Sequence, residues 1–314
     1  MELKQKDKKL LNYLYHHYRQ PFTEIGKRCR LSRDQVEYTL NKYELNGVIK
    51  KYLTIFNYNL LGYKEFIIVW LKTIKNKEQI KRELERMKDV ISVGEISTKY
   101  DLFVNFIFKD KQEFEEIFYN FIKEHEIKEY EIFLTTYSNL YQLKQFGLKI
   151  AEDTYNFVGN YKKRKLDEKE IEILKELEKN GRVRIIDISL KTGISSELII
   201  YKMKQLYKDK IILGTRIQFD FEKIGFYLAT LRLKLKNQTK EEKEKINQFC
   251  KDHPLINALA FGISDYNCLI QILYRKEDEL RKTLMEIKDF LKENLEDSFL
   301  LLIQNETKAR TLPY

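Results

Sequence analysis

The stretch that decides the fold covers residues 21–46 and reads PFTEIGKRCRLSRDQVEYTLNKYELN. It predicts two short helices joined by a tight turn, with Ile25 and Cys29 one helical turn apart on the first. Ser32 is a good N-cap for the second helix, because its hydroxyl can accept a hydrogen bond from an early N–H group. The buried stripe of that second helix is predicted to consist of Val36, Leu40 and Tyr43. The pattern indicates either a helix-turn-helix or an ordinary helical hairpin with a solvated polar face.

The same stretch occurs twice in the chain. A shift of 163 positions places residues of the same type on one another without a gap. The matched pairs include Leu3 with Leu166, Leu11 with Leu174, Ile25 with Ile188, Ser32 with Ser195, Tyr38 with Tyr201, and Gly62 with Gly225. A second helix-turn-helix is therefore predicted over residues 185–208. A repeat this long indicates a duplicated pair of domains, since solenoid repeats have periods of roughly 20–50 residues.

Composition narrows the classes of partner. The 314 residues carry a net charge of +10 with 34% charged and 43% hydrophobic residues. This balance favours a polyanionic partner such as nucleic acid, although a lysine-rich proteome gives the same excess. The sequence has neither a membrane-spanning apolar run nor the apolar core of a signal peptide, so we expect a cytoplasmic protein without membrane contact. Its three cysteines are scattered and predict no disulfide framework.

The segments that follow each helix-turn-helix predict strands. Gly47 can take the left-handed position that ends a helix, and residues 48–56 then read as a strand pair or wing carrying Lys50 and Lys51. Residues 63–141 alternate in the order β-α-β-β-α-β, which is the ferredoxin-like arrangement, and residues 227–304 repeat it. The predicted fold class is α+β, with two copies of a winged helix-turn-helix domain followed by a ferredoxin-like βαββαβ domain. The predicted domains are 1–60, 61–141, 166–223 and 224–314, with a linker at 142–165.

The linker ends in a basic run at residues 160–165, NYKKRK. Such a run is either a flexible arm that contacts DNA phosphates or a solvated connection between domains.

A three-helix winged unit followed by a βαββαβ unit resembles the Lrp/AsnC (leucine-responsive, or feast/famine) transcriptional regulators. The opening pattern of Leu3, Asp7, Leu10 and Leu11 is similar to the family's first helix. The stretch from Leu31 to Ile49 resembles its recognition helix and exit, and the junctions at residues 61–63 and 224–226 resemble its hinge. The loop at residues 262–266 resembles the family's Gly-x-x-Asp turn. The resemblance covers nearly the whole chain, twice, whereas the family usually has one copy per chain.

The chain also departs from the family pattern. Thr98 stands where the family has glycine in the first copy, so a family-type effector site is less expected in the first half. In the second copy, Ile199 and Ile200 stand where polar contacts are expected, and Lys210 replaces the helix-ending glycine. The second helix-turn-helix is therefore expected to bind DNA weakly or to serve structurally.

The resemblance implies sequence-specific binding to double-stranded DNA. In the first copy we expect Arg33, Gln35, Tyr38 and Asn41 near base edges or phosphates, and Ser32, Lys42, Lys50 and Lys51 on the DNA backbone. The counterparts in the second copy are Ser195, Ser196, Lys202, Lys204, Gln205 and Arg216.

The resemblance also implies an effector and an assembly. A small molecule such as an amino acid is expected at Gly262, Ile263, Ser264, Asp265 and Tyr266, because a glycine lets a backbone approach a ligand closely; a plain hairpin turn is the alternative. Members of the family pair through their sheets, so we expect a homodimer or an intramolecular pseudo-dimer built from the βαββαβ sheets.

The sequence indicates no cofactor, no metal site and no catalytic group, since it contains no phosphate-cradling glycine motif, ligand pair or nucleophile arrangement. The predicted function is a transcription regulator rather than an enzyme. Two alternatives remain open: a sirohaem decarboxylase-like enzyme of the same fold, and an abundant, weakly specific DNA-organising protein.

Overall fold

The computed structural model describes residues 3–141, 143–144, 155–156 and 164–312. In its first half, the winged unit comprises α1 (Gln5–His17), α2 (Phe22–Cys29), α3 (Arg33–Leu45) and β1 (Ile49–Phe56). The following unit comprises β2 (Glu65–Thr73), α4 (Lys77–Arg86), β3 (Val90–Ile96), β4 (Leu102–Phe108), α5 (Lys111–Glu124) and β5 (Ile127–Leu140).

The second half repeats these elements after a two-residue strand, β6 (Tyr155–Asn156), which pairs with the end of β5. Its winged unit comprises α6 (Glu168–Lys179), α7 (Ile185–Thr192), α8 (Ser196–Lys208) and β7 (Ile212–Phe219). Its βαββαβ unit comprises β8 (Tyr227–Leu235), α9 (Lys240–Asp252), β9 (Ile256–Ile263), β10 (Cys268–Tyr274), α10 (Glu277–Leu291) and β11 (Leu295–Ala309). The predicted α+β fold class is confirmed.

The wing differs from the sequence expectation. The sequence predicts a strand pair or wing over residues 48–56, whereas in the structure each copy contributes one strand, and β1 pairs antiparallel with β7 of the other copy. The reason is visible in the packing. Ile217 and Phe219 of β7 complete the core of the first winged unit, while Phe56 of β1 lies in the core of the second. Each winged unit is therefore completed by the other half of the chain.

The two βαββαβ units merge in the same way. The fourth strand of each unit pairs with the second strand of the other, as β5 with β9 and β11 with β3. Because β2 also pairs with β5, eight of the nine strands described in this sheet follow one another around a closed barrel. The helices of each unit cover its outer face through separate apolar cores. Of the two expected modes of assembly, the structure contains the intramolecular pseudo-dimer.

Local chain reversals follow the residue types closely. Gly47 ends α3 with a φ of +64°, as expected, and Lys210 takes the equivalent left-handed position after α8 with a φ of +58°. The loss of glycine in the second copy therefore did not change the backbone path, although it adds the strain of a Cβ at positive φ. Pro21 is the N-cap of α2.

Candidate nucleic-acid interface

The helix α3 begins at a complete capping box. The Ser32 hydroxyl accepts a hydrogen bond from the Gln35 backbone N–H at 3.1 Å, and the Gln35 side-chain oxygen accepts one from the Ser32 N–H at 2.9 Å. Reciprocal bonds of this kind satisfy two N–H groups that the helix leaves unpaired. Two of the residues expected to contact DNA, Ser32 and Gln35, are therefore also the residues that hold the start of α3.

The outward face of α3 carries the remaining expected contacts of this helix. Tyr38 is 71% exposed. The Arg33 side chain is 64% exposed and forms a loose ion pair, at 3.9 Å, with Glu37. Asn41 and Lys42 are also exposed. This face combines donors and acceptors suited to base edges with charges suited to phosphates.

The outward face of α8 is less polar and partly occupied. The Ser195 hydroxyl accepts the Leu198 N–H at 3.4 Å, so it caps the helix as expected. Lys202 makes an ion pair with Asp167, and its side chain is only 14% exposed. Lys204 is exposed, whereas Ser196 and Gln205 are half-buried. Of the two isoleucines that depart from the family pattern, Ile199 belongs to the core and Ile200 is 43% exposed.

The lysines and the arginine of the β1–β7 ribbon contact protein groups. Lys50 pairs with Asp220 at 3.6 Å and Lys51 with Glu178 at 3.1 Å. The Arg216 guanidinium lies 5.2 Å from the ring centroid of Tyr15. These three cations link the two winged units to each other.

The basic run at 160–165 lies mostly outside the described residues, which begin again at Arg164. Arg164 makes a bidentate contact with Glu170 at 2.9 and 3.0 Å and a further pair with Asp209. The Arg164 hydrogen bond to Glu170 holds the pKa of that carboxyl below its usual value. Arg164 is therefore part of the second winged unit rather than of an arm.

Some residues of the loop at 262–266 face solvent, and others contact the barrel. A Cβ on Gly262 would lie 2.4 Å from the Phe133 ring and 2.6 Å from the Leu134 carbonyl oxygen, so the close approach that requires glycine is made by β5. Ile263 is 64% exposed, and the exposed Asp265 pairs with Lys234 at 3.1 Å. The Tyr266 hydroxyl donates to Asp297 at 2.5 Å, which raises the pKa of that hydroxyl.

A polar cluster at this end of the barrel was missed by sequence reasoning. Arg232 is 1% exposed and pairs with Glu131, which also accepts hydrogen bonds from the hydroxyls of Tyr100 at 2.8 Å and Ser264 at 3.0 Å. Ser264 of the expected effector loop therefore belongs to a partly buried hydrogen-bond network. The signal in the sequence was a lone arginine within the apolar strand YLATLRLKL.

Within the described ranges, no group of three or more His, Cys, Asp or Glu side chains is arranged to hold a metal ion. None of the helices in those ranges has the length and apolarity needed to cross a bilayer.

Comparison with known proteins identifies relatives of both the sequence and the fold. The winged helix-turn-helix DNA-binding family model matches residues 166–212. An uncharacterized HTH-type transcriptional regulator of Pyrococcus horikoshii is 30% identical over 149 residues, which are 47% of this chain and 91% of the relative. The HTH-type transcriptional regulator FL11 of the same organism is 30% identical over 109 residues, which are 34% of this chain and 72% of the relative.

The solved structure of the siroheme decarboxylase NirDL matches with a TM-score of 0.65 over 98% of this chain and 94% of that one, at 14% identity. At that identity the similarity shows a shared fold and nothing more. Because the chain is 30% identical to these regulators and covers 91% and 72% of their lengths, and because it contains the winged helix-turn-helix, it belongs to the family of helix-turn-helix transcriptional regulators.

Proposed function

We propose that this transcription regulator binds duplex DNA chiefly through α3 of its first winged unit, and that α8 of the second unit contacts DNA more weakly. The observation that carries the proposal is the contrast between the two outward faces. Arg33, Tyr38 and Asn41 extend from α3 into solvent, whereas Lys202 of α8 is held by Asp167 and its neighbour Ile200 is apolar.

Each exposed side chain of α3 has a chemistry suited to DNA. Arginine can donate two hydrogen bonds to guanine, and asparagine can do the same with adenine, whereas lysine is better suited to phosphates. Arg33 and Asn41 are therefore the proposed base readers, and Lys42 is the proposed phosphate contact. The two halves of the chain form a pseudo-dimer, but their helices α3 and α8 differ in sequence. The preferred DNA site should therefore have two unlike halves rather than a strict palindrome.

The test is a titration of the protein with its preferred duplex, selected from a random pool, and with a random duplex, each at two salt concentrations. Arg33→Ala should weaken binding to the selected duplex by about 1–3 kcal/mol if Arg33 reads a base pair. If Arg33 contacts only phosphate, both affinities should fall equally and the salt slope should shrink by about one unit. The control is Arg281→Ala on α10, where the arginine is 74% exposed and remote from α3.

An unchanged affinity and salt slope in Arg33→Ala would show that the first unit is not the reader. The same titration separates a regulator from a weakly specific DNA-organising protein. A regulator binds its selected site typically about 10³–10⁷ times more tightly than random DNA, and an organising protein does not.

An amino-acid effector at residues 262–266 is part of the proposal. Its support is the exposed apolar side chain of Ile263 beside the carboxylate of Asp265. This carboxylate pairs with Lys234 but is 66% exposed, so it remains accessible to the ammonium group of a ligand. Thermal unfolding of the protein with a panel of amino acids tests it, and Asp265→Asn should abolish any stabilisation. A panel without effect would leave a regulator that acts without such a ligand.

A regulator rather than a tetrapyrrole decarboxylase is favoured by the charges in the groove between β7 and the barrel. This groove, of about 520 Å³, is lined by four carboxylates, of Glu95, Asp220, Glu222 and Glu306, and by two cations, Lys50 and Arg216. Acidic side chains therefore outnumber basic ones, which disfavours a polycarboxylate ligand. Purification of the protein with a bound tetrapyrrole absorption band would favour the enzyme instead. A cytoplasmic location is proposed together with DNA binding.

A further inference from the structure

The barrel contains a cavity of about 160 Å³ that none of the functions above uses. Its apolar lining includes the rings of Phe66, Trp70 and Phe103. These side chains come from β2 and β4, and β2 leads directly from the first winged unit. We call this space the lumen cavity.

Four neutral polar side chains also line the lumen cavity: Asn105, Ser138, Thr230 and Gln271. They come from four different strands, β4, β5, β8 and β10, so the two halves of the chain both contribute. All four are half-buried, and the described residues provide no hydrogen-bond partner for their side chains. Because polar groups inside proteins are normally paired, this convergence marks a place for a ligand or for ordered water.

The charge of the lining selects the ligand class. Among the residues that the structure describes, no acidic or basic side chain lines the lumen cavity. A charged molecule would therefore lose its hydration without gaining an ionic partner, which is costly in an apolar environment. A neutral molecule with hydrogen-bonding groups at its edge would instead meet two amides and two hydroxyls.

The size of the lumen cavity limits the ligand further. An engineered apolar cavity of about 150 Å³ is known to hold benzene, so about 160 Å³ accommodates one ring with few substituents. Drug-sized ligands bind in pockets of about 300–1,000 Å³, so a ligand of that size is too large for the lumen cavity. Aromatic rings in the wall add favourable stacking with a flat ligand.

We propose that the lumen cavity binds a neutral, planar, single-ring molecule that carries an amide or a similar hydrogen-bonding edge. The ring lies among the aromatic side chains, and its polar edge bonds to Asn105 and Gln271. This site is separate from the effector loop at residues 262–266, and its occupancy does not depend on which helix binds DNA.

The protein carries its own reporter of this site. Trp70 is the one tryptophan of the sequence, it lines the lumen cavity, and the Arg232 guanidinium carbon lies 4.3 Å from its ring centroid. A ligand that enters the cavity must change the surroundings of this indole. Tryptophan emission therefore reports binding at this position without any label.

The experiment titrates the full chain, without DNA, with nicotinamide and with uracil, and uses L-alanine as a zwitterion of small size. We expect a saturable change in Trp70 emission with at least one of the two rings and none with L-alanine, with equilibrium dialysis confirming one ring per chain. Asn105→Leu and Gln271→Leu should each weaken binding about tenfold, because each removes hydrogen bonds and leaves the ligand's polar groups unpaired.

The matched control is Asn120→Leu on the exposed face of α5, which makes the same chemical change far from the barrel interior and should leave binding unchanged. The far-ultraviolet circular dichroism of each variant checks its fold. The proposal is overturned if neither nicotinamide nor uracil changes the Trp70 emission of the unmodified chain and neither is retained by it in equilibrium dialysis. It is equally overturned if L-alanine binds as well as the rings do, or if folded Asn105→Leu and Gln271→Leu proteins bind like the original.

Discussion

Arg232 and Trp70 occupy equivalent positions of the two duplicated units and meet inside the barrel. Trp70 pairs with the second residue of β4 and Arg232 with the second residue of β10, and the guanidinium carbon lies 4.3 Å from the indole centroid. An arginine over a tryptophan face is a favourable cation–π contact, more so when buried. The two halves therefore carry different, complementary side chains at equivalent positions. This contact at the centre of the barrel favours the pairing of two unlike halves within one chain.

The Arg232–Glu131 pair should be sensitive to the loss of one partner. Glu131→Gln leaves the buried guanidinium without its counter-charge, so we expect the free energy of unfolding to fall by about 3 kcal/mol. Glu131 retains 22% exposure, which limits the loss. Chemical denaturation monitored by Trp70 emission measures it. The double variant Glu131→Leu with Arg232→Met should recover much of the loss, and a double variant less stable than Glu131→Gln would contradict this account.

Substitution of the lysines of the β1–β7 ribbon tests whether they contact DNA phosphates or protein carboxylates. If Lys51 contacts DNA phosphate, as the sequence suggests, Lys51→Ala should reduce the salt slope of DNA binding by about one unit. The pair with Glu178 at 3.1 Å predicts instead an unchanged slope and a less stable contact between the winged units. The same reasoning applies to Lys50, which faces Asp220.

The control for this prediction is Lys204→Ala on the exposed face of α8, where the lysine is accessible to a phosphate. Binding to labelled duplex at several salt concentrations measures all three slopes. A reduced slope for Lys51→Ala would place the ribbon on the DNA after all.

His16 should make the protein sensitive to acid. Burial lowers the pKa of this imidazole from 6.5 to about 3, with smaller contributions from Arg216 and His17. Below pH 6.5 the unfolded chain binds a proton at His16 that the folded chain does not. The stabilisation is therefore complete above pH 6.5 and is lost as the pH falls toward 3, with a slope of up to about 1.4 kcal/mol per pH unit.

The measurement is the free energy of unfolding between pH 7 and pH 4, compared with His16→Gln. The variant should show a shallower decline over that range, since the titrating group is absent. Parallel declines in both proteins would remove His16 as the cause.

The assembly should be a single chain at moderate concentration. The closed barrel leaves its eight strands paired on both sides, so a second copy finds no free strand edge of that barrel to join. Light scattering should therefore give about 38.1 kDa. A mass of twice that value would require a contact through other surfaces, such as the outer helices. The expected homodimer would then exist in addition to the pseudo-dimer.

Much of the local structure could be predicted from the residues themselves. The capping serines Ser32 and Ser195, the helix-ending Gly47 and the spacing of apolar residues act over a few positions, so the order of helices and strands in both copies could be predicted. The candidate DNA face of α3 was predictable for the same reason, because exposure on a helix follows from its period.

The pairing of β1 with β7, the closure of the barrel and the meeting of Arg232 with Trp70 were decided by tertiary structure alone. These contacts join residues more than 100 positions apart, and their energy comes from apolar faces and charges that no short stretch of sequence contains. The lysines Lys50, Lys51 and Lys202 show the same limit. A sequence gives each of them a charge, but only the fold determines whether a carboxylate or the solvent lies beside it. The sequence by itself determined which elements form and which family the chain resembles; the tertiary structure decided how the two copies complete each other.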